Sequence, residues 1–191
     1  MMRTGWLMGA LALCCAAATQ AGWSGEFLLA PADSRFVFGW EAPAGHGMRE
    51  YVPRGETVEN WTRMVTLQRF GYRAGMTPAA VLARTAALMQ AACPGATVTP
   101  GESVPLAGHV SATIRVDCPR NPQTGKPETM FARAVLGDDA LHMVQAATRR
   151  VPTIADVRWA AGVLQGAVLC TASDVTSRCG TARAATPGAA L

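Results

Sequence analysis

Lysine is almost missing from this chain: Lys126 is the only one, and charged residues of all kinds make up 16% of the sequence. The arginines are scattered, with only Arg149 and Arg150 adjacent. A nucleic-acid-binding chain shows a clustered basic stripe, so no nucleic-acid partner is expected. No uncharged apolar run approaches the ~20 residues that a spanning helix needs. The sequence has no C-x-x-C, and no histidine stands at zinc-ligand spacing from a cysteine, which excludes the common structural zinc motifs. G-x-S-x-G is absent, and Gly101-Glu102-Ser103 and Gly108-His109-Val110-Ser111 do not imitate it. Gly45-His46-Gly47 lacks the rest of a phosphate-cradling fingerprint. No repeat occurs at solenoid or propeller spacing. These absences leave no catalytic constellation, and neither a cofactor nor a metal is expected.

What is present first is a leader. Met1 to Thr4 carries Arg3, the only charge before Glu26, and Trp6 to Ala18 is apolar and uncharged. That length suits the ~7–15-residue apolar region of a signal peptide. Small residues follow, and cleavage fits after Ala18 or after Ala21. Residues 1–21 therefore read as a signal peptide, with no membrane span left after its removal. Losing Arg3 takes the formal charge from +4 to +3. The expected location is periplasmic or secreted. A lipid anchor at Cys14 is the lesser alternative, because Leu13, just before it, is not the small residue that lipidation signals carry.

Outside the leader stand Cys93, Cys118, Cys170 and Cys179. An even number of cysteines in an exported chain implies disulfides. Four cysteines allow three connectivities. Nearness in sequence favours Cys93 with Cys118 and Cys170 with Cys179.

Half of the residues are hydrophobic, enough to build a core. Short aromatic and aliphatic strands are expected at Phe27–Leu29, Arg35–Trp40 and Met48–Val52. A helical turn follows at Thr57–Asn60, then a central strand over Trp61–Phe70 with apolar residues on both faces. Thr77 is a natural N-cap and Pro78 fits the first helical position. Val81, Leu82, Thr85, Leu88, Met89 and Ala92 recur at helical spacing until Pro94-Gly95. In Gly108–Cys118, Val110, Ala112, Ile114 and Val116 alternate with His109, Ser111, Thr113, Arg115 and Asp117, which predicts a strand with one solvated face. Strands over Thr129–Leu136 and Leu141–Thr148 flank a hairpin turn at Gly137–Ala140. A second helix is predicted from Ile154 to Val168, capped by Thr153, with Asp156 in its first turn. Strands in runs with helices between them argue for an α+β domain, an antiparallel β-sheet packed with two main helices. That domain spans 22–172. Residues 173–191 form a disulfide-tethered tail expected to be disordered.

The segment Glu50-Tyr51-Val52-Pro53-Arg54-Gly55-Glu56-Thr57-Val58-Glu59-Asn60-Trp61, continuing to Gln68, resembles a group of uncharacterised exported bacterial proteins. The layout of about residues 26–170 resembles the PsbP-like fold. That resemblance implies binding or an accessory role rather than catalysis, with a protein or envelope component as partner, and it transfers no site residue. Within the segment, Tyr51, Arg54, Glu56, Glu59 and Trp61 are a candidate binding surface; the plainer alternative is that Trp61 plugs the core. The competing function is a small periplasmic hydrolase that uses His109 or His142 with a nearby carboxylate. A fold that brought two of His46, His109 and His142 together with Asp138 or Asp139 would make a metal site, but nothing in the spacing asks for one. Oligomeric state is not legible.

Overall fold

The computed structural model describes residues 25–31, 33–43, 47–171 and Cys179. Residues 1–21, where a signal peptide is expected, lie outside the described residues, as do Cys14, His46 and nearly all of the 173–191 segment.

Nine strands and two helices follow in the order β1 (Phe27–Leu29), β2 (Phe36–Glu41), β3 (Met48–Pro53), β4 (Arg63–Gly71), α1 (Pro78–Ala92), β5 (Thr97–Pro100), β6 (Ser111–Cys118), β7 (Glu128–Leu136), β8 (Ala140–Thr148), α2 (Ile154–Gln165) and β9 (Val168–Cys170). Seven strands form one antiparallel sheet in the order β2-β3-β4-β8-β7-β6-β5. β1 and β9 make a separate antiparallel ribbon, with Phe27 opposite Cys170. The α+β expectation holds.

Both sheet faces are covered. On one, α1 lays Leu82 and Ala86 onto Ala112 and Val116 of β6, Met130, Ala132 and Ala134 of β7, and Leu141 and Met143 of β8. Burying a leucine such as Leu82 contributes about 1.5–3 kcal/mol. Thr77 caps α1 by accepting a bond from Ala80 N, and Cys93 ends it. The Cys93–Cys118 disulfide then ties the end of α1 to the end of β6, with Cα atoms 5.9 Å apart. On the other face, Ala160 and Val163 of α2 and Leu28 of β1 pack on Val65, Leu67, Val135, Val144 and Ala146. The second disulfide joins Cys170, the last residue of β9, to Cys179.

Three local expectations need correction, and one strand is added. Thr57–Asn60 is not a helical turn. Thr57 and Asn60 exchange backbone hydrogen bonds of 3.2 and 3.1 Å, which closes a tight turn and packs Val58 with Val52, Trp61 and Met64. Instead of continuing to Val168, α2 stops at Gln165: Gly166 caps it, and Val168–Cys170 pairs with β1. β5 was not anticipated; it is a four-residue edge strand ending in Pro100, a residue that sheets tolerate at edges. Finally, the polar face of β6 is not simply solvated. It looks toward α2, Ser111 on it is buried, and Thr113, Arg115 and Asp117 are half-buried.

Candidate functional site

α2 covers β7 and β8 but leaves the outer part of the same sheet face open. The result is a cleft of about 460 Å³. Its floor is the polar face of β6 and β7: Thr113, Arg115, Phe131 and Arg133. One wall is a second stripe of α2, Val157, Ala161, Leu164 and Gln165, spaced to share one side of a helix. Thr99 to Val104, running out of the β5 edge, makes the other wall. The volume lies within the ~300–1,000 Å³ of small-molecule sites.

Arg133 is the unusual residue. Only 7% of it is exposed, and no carboxylate among the described residues pairs with it. Its guanidinium is held by neutral acceptors. Nε and Nη2 donate to Ser111 Oγ at 3.2 and 3.1 Å, Nη2 to Val104 O at 2.6 Å, and Nη1 to Leu164 O at 3.3 Å. Ser111 in turn donates to Val104 O. Burial lowers the Arg133 pKa from the ordinary arginine value, but an arginine stays charged in a protein. A buried charge without a countercharge is costly. Arg115 lies along the same floor, its guanidinium 5.3 Å from the Phe131 ring centre and bonded to Asp117 at 2.7 Å, with Nε buried and unpartnered. Glu102 also lines the cleft, from an exposed position. No histidine or cysteine lines it.

A second cluster lies on the same sheet face, under β1. Glu26, Asp139 and His142 each place a ligand-type atom within 4.8 Å of the others. Glu26 N donates to Asp139 Oδ2 and Asp139 N donates to Glu26 Oε2, each at 3.1 Å. Gly25 and Gly137 permit this approach: a Cβ on Gly25 would overlap Asp139 Oδ2, and one on Gly137 would overlap Glu26 Oε2. Arg69 reaches Asp139 Oδ2 at 3.3 Å. For Asp139, burial alone would raise the pKa, but the Glu26 N–H and Arg69 outweigh it and hold the carboxyl below its usual value. His142 is fully buried and its ring nitrogens have no hydrogen-bond partner. Burial, helped by Arg69 and His109 and opposed by Asp139, lowers its pKa to about 4, so the imidazole is neutral. His142 Nε2 stands 3.8 Å from Glu26 Oε2, beyond hydrogen-bond reach. The sequence offers His142 together with Asp138 or Asp139; Glu26, far away in the chain, carries no signal.

The 51–61 segment is placed differently again. Tyr51 and Trp61 are buried, Arg54 and Glu59 are exposed, and Glu56 is half-buried. Glu56 accepts from Thr62 N at 2.6 Å and from Thr62 Oγ1 at 2.8 Å, which fixes the chain entering β4. The Arg149 guanidinium lies 4.0 Å from the Trp61 ring centre and donates to Glu59 O at 2.7 Å.

No family model matches the chain, and no curated protein matches it. Among solved structures, it is similar to the cyanobacterial PsbP (CyanoP) of Synechocystis sp. PCC 6803, with a TM-score of 0.51 at 9% identity over 82% of this chain and 99% of that one. Mycobacterium tuberculosis LpqN, described as involved in cell envelope biogenesis, gives 0.44 at 14% identity over 78% and 87% of the two chains. A variant of Mog1 gives 0.43 at 10% identity over 73% and 80%. At these identities likeness speaks to fold alone. The resemblance read from the layout is thus found in three dimensions: the chain has an α+β fold like that of PsbP.

Proposed function

We propose that this chain is an exported, non-catalytic binding domain of the bacterial periplasm or cell envelope, and that its ligand seat is the cleft between α2 and β5–β7. One observation carries the proposal: Arg133 is buried at the cleft floor with hydrogen-bond acceptors but no anion. A ligand carboxylate or similar group supplies the missing charge, while Phe131, Val157, Ala161 and Leu164 receive an apolar body. Charge-assisted bonds to a guanidinium are the strong class of hydrogen bond. Export is supported by the leader and by two disulfides.

The test is calorimetry of the exported, oxidised chain with decanoate, 2-naphthoate and decanol. The carboxylates bind, and decanol binds at least about tenfold more weakly. Arg133→Met, which keeps the length of the side chain, removes that preference while leaving the circular dichroism spectrum unchanged. Equal affinity for acid and alcohol, or a preference that survives in R133M, would overturn the assignment of the cleft. N-terminal sequencing of the same material should find Thr19 or Gly22 first.

The rival hydrolase would use His142 with Glu26. Against it stand their 3.8 Å separation, the complete burial of His142, and a cleft lined by no histidine. Ester hydrolysis abolished by His142→Gln would reverse that judgement.

A further inference from the structure

We propose that Glu26, Asp139 and His142 form a site for one divalent transition-metal ion of the zinc class, which clamps the segment leading into β1 onto the β7–β8 hairpin. Two carboxylates close to each other are by themselves ordinary. What sets this pair apart is the imidazole beside them. His142 is fully buried, yet it neither donates nor accepts a hydrogen bond through its ring nitrogens. Buried polar atoms are nearly always satisfied, and those that are not call for an explanation such as a bound ion. Its Nε2 points at the acidic pair from 3.8 Å. A neutral imidazole with two carboxylates is a donor set that zinc accepts, with a fourth position left to water.

The surroundings fit a built site. The reciprocal backbone bonds between Glu26 and Asp139 orient both carboxylates, as outer-shell bonds do for metal ligands. Gly25 and Gly137 leave room where any side chain would push a carboxylate away. The donors come from separate places in the chain: Glu26 precedes β1, Asp139 sits in the hairpin turn, and His142 lies in β8. An ion there pins β1, and with it the β1–β9 ribbon, to the main sheet.

Arg69 provides the sharpest test. Opposite His142 in the β4–β8 register, it holds Asp139 Oδ2 at 3.3 Å and competes with a metal for that oxygen. Removing it should therefore strengthen metal binding, whereas removing a donor should weaken it.

The experiment is calorimetric titration of the oxidised chain with zinc chloride, repeated with cobalt chloride so that ligand-field absorption reports the coordination. One equivalent should bind. Asp139→Asn and Glu26→Gln should each weaken binding by at least about tenfold. Asp138→Asn, on the exposed neighbour in the same turn, should change nothing, and Arg69→Met should tighten binding. His142→Gln should abolish the cobalt spectrum; should that variant not fold, the exposed Asp139 decides alone. No saturable zinc binding, binding unaltered by D139N and E26Q, or binding weakened as much by D138N as by D139N would each overturn the site.

Discussion

Asp156 gives the most exacting test of how this fold is held together. It is fully buried at the start of α2. Arg63 donates to Oδ1 through Nε at 2.9 Å and Nη2 at 2.6 Å, and Arg150 donates to both oxygens at 2.7 and 3.0 Å. The Thr153 N–H donates to Oδ2 at 2.9 Å and the Asp156 N–H to Thr153 Oγ1 at 3.2 Å, a capping box, and the Thr153 hydroxyl donates to Oδ2 at 2.8 Å. The bonds from Arg150, followed by those from Thr153 and Arg63, outweigh burial and hold the Asp156 carboxyl far below its usual range. Asp156→Asn keeps the size and the capping oxygen but strands two guanidiniums. Hydrogen bonds to charged groups contribute about 1.5–3 kcal/mol. The Arg63 side chain is 21% exposed and keeps most of that value, whereas Arg150, at 43%, is screened to about 0.5–1 kcal/mol. The expected loss is about 3 kcal/mol for D156N, and about 1 kcal/mol more for Asp156→Ala, which also loses the cap. Arg150→Ala alone should lose about 1 kcal/mol. Urea unfolding followed by tryptophan fluorescence reads this, since Trp159 lies between Phe36 and Arg63. The folded carboxyl titrates below its unfolded value of ~3.9, so its contribution is complete above that pH and is lost as the pH falls below it. Wild type should lose stability between about pH 4 and pH 2 more steeply than D156N does. A D156N midpoint within about 1 kcal/mol of wild type, or identical acid slopes, would refute the reasoning.

Two further predictions concern the cysteines and the 51–61 segment. Replacing Cys93 and Cys118 together with serine opens a loop of 25-residue separation and should cost about 3 kcal/mol, measured by urea unfolding against wild type. Trp61→Ala should cost about 3–5 kcal/mol because the ring packs with Val52 and Met64, while Arg54→Ala and Glu59→Ala, both exposed, should stay within about 0.5 kcal/mol of wild type. That pair of surface variants then tests the segment as a recognition surface in a pull-down, free of any folding defect.

The elements that the sequence announced are those where local chemistry and tertiary packing agree. Thr77-Pro78 and Thr153 with Asp156 mark helix starts by satisfying N–H groups that any helix leaves open, so they show in a short window. The alternation in Ser111–Cys118 marks a strand for the same reason. Its interpretation as a solvated face failed because cover from α2 depends on a helix more than thirty residues downstream. Ser111 and Arg133 look like surface residues in sequence and become a buried pair only when β6 lies against β7. β5 escaped notice because four residues ending in Pro100 carry little propensity. β9 did so because Val168 continues the apolar pattern of α2, and only the partner strand Phe27–Leu29 makes it extended. The cluster around His142 was legible in part: the histidine and the aspartates stand close together in sequence, but Glu26 joins them across a separation of 113 residues.

The pairing of β1 with β9 has a consequence for the order of assembly. β1 leaves the ribosome first among the described strands and β9 last, and closing so long a loop is entropically costly until both ends have something to hold. The seven-stranded sheet, built mostly from neighbouring hairpins, needs no such wait. The ribbon therefore docks late, and a chain truncated before Val168 should keep its central sheet while β1 loses its strand partner.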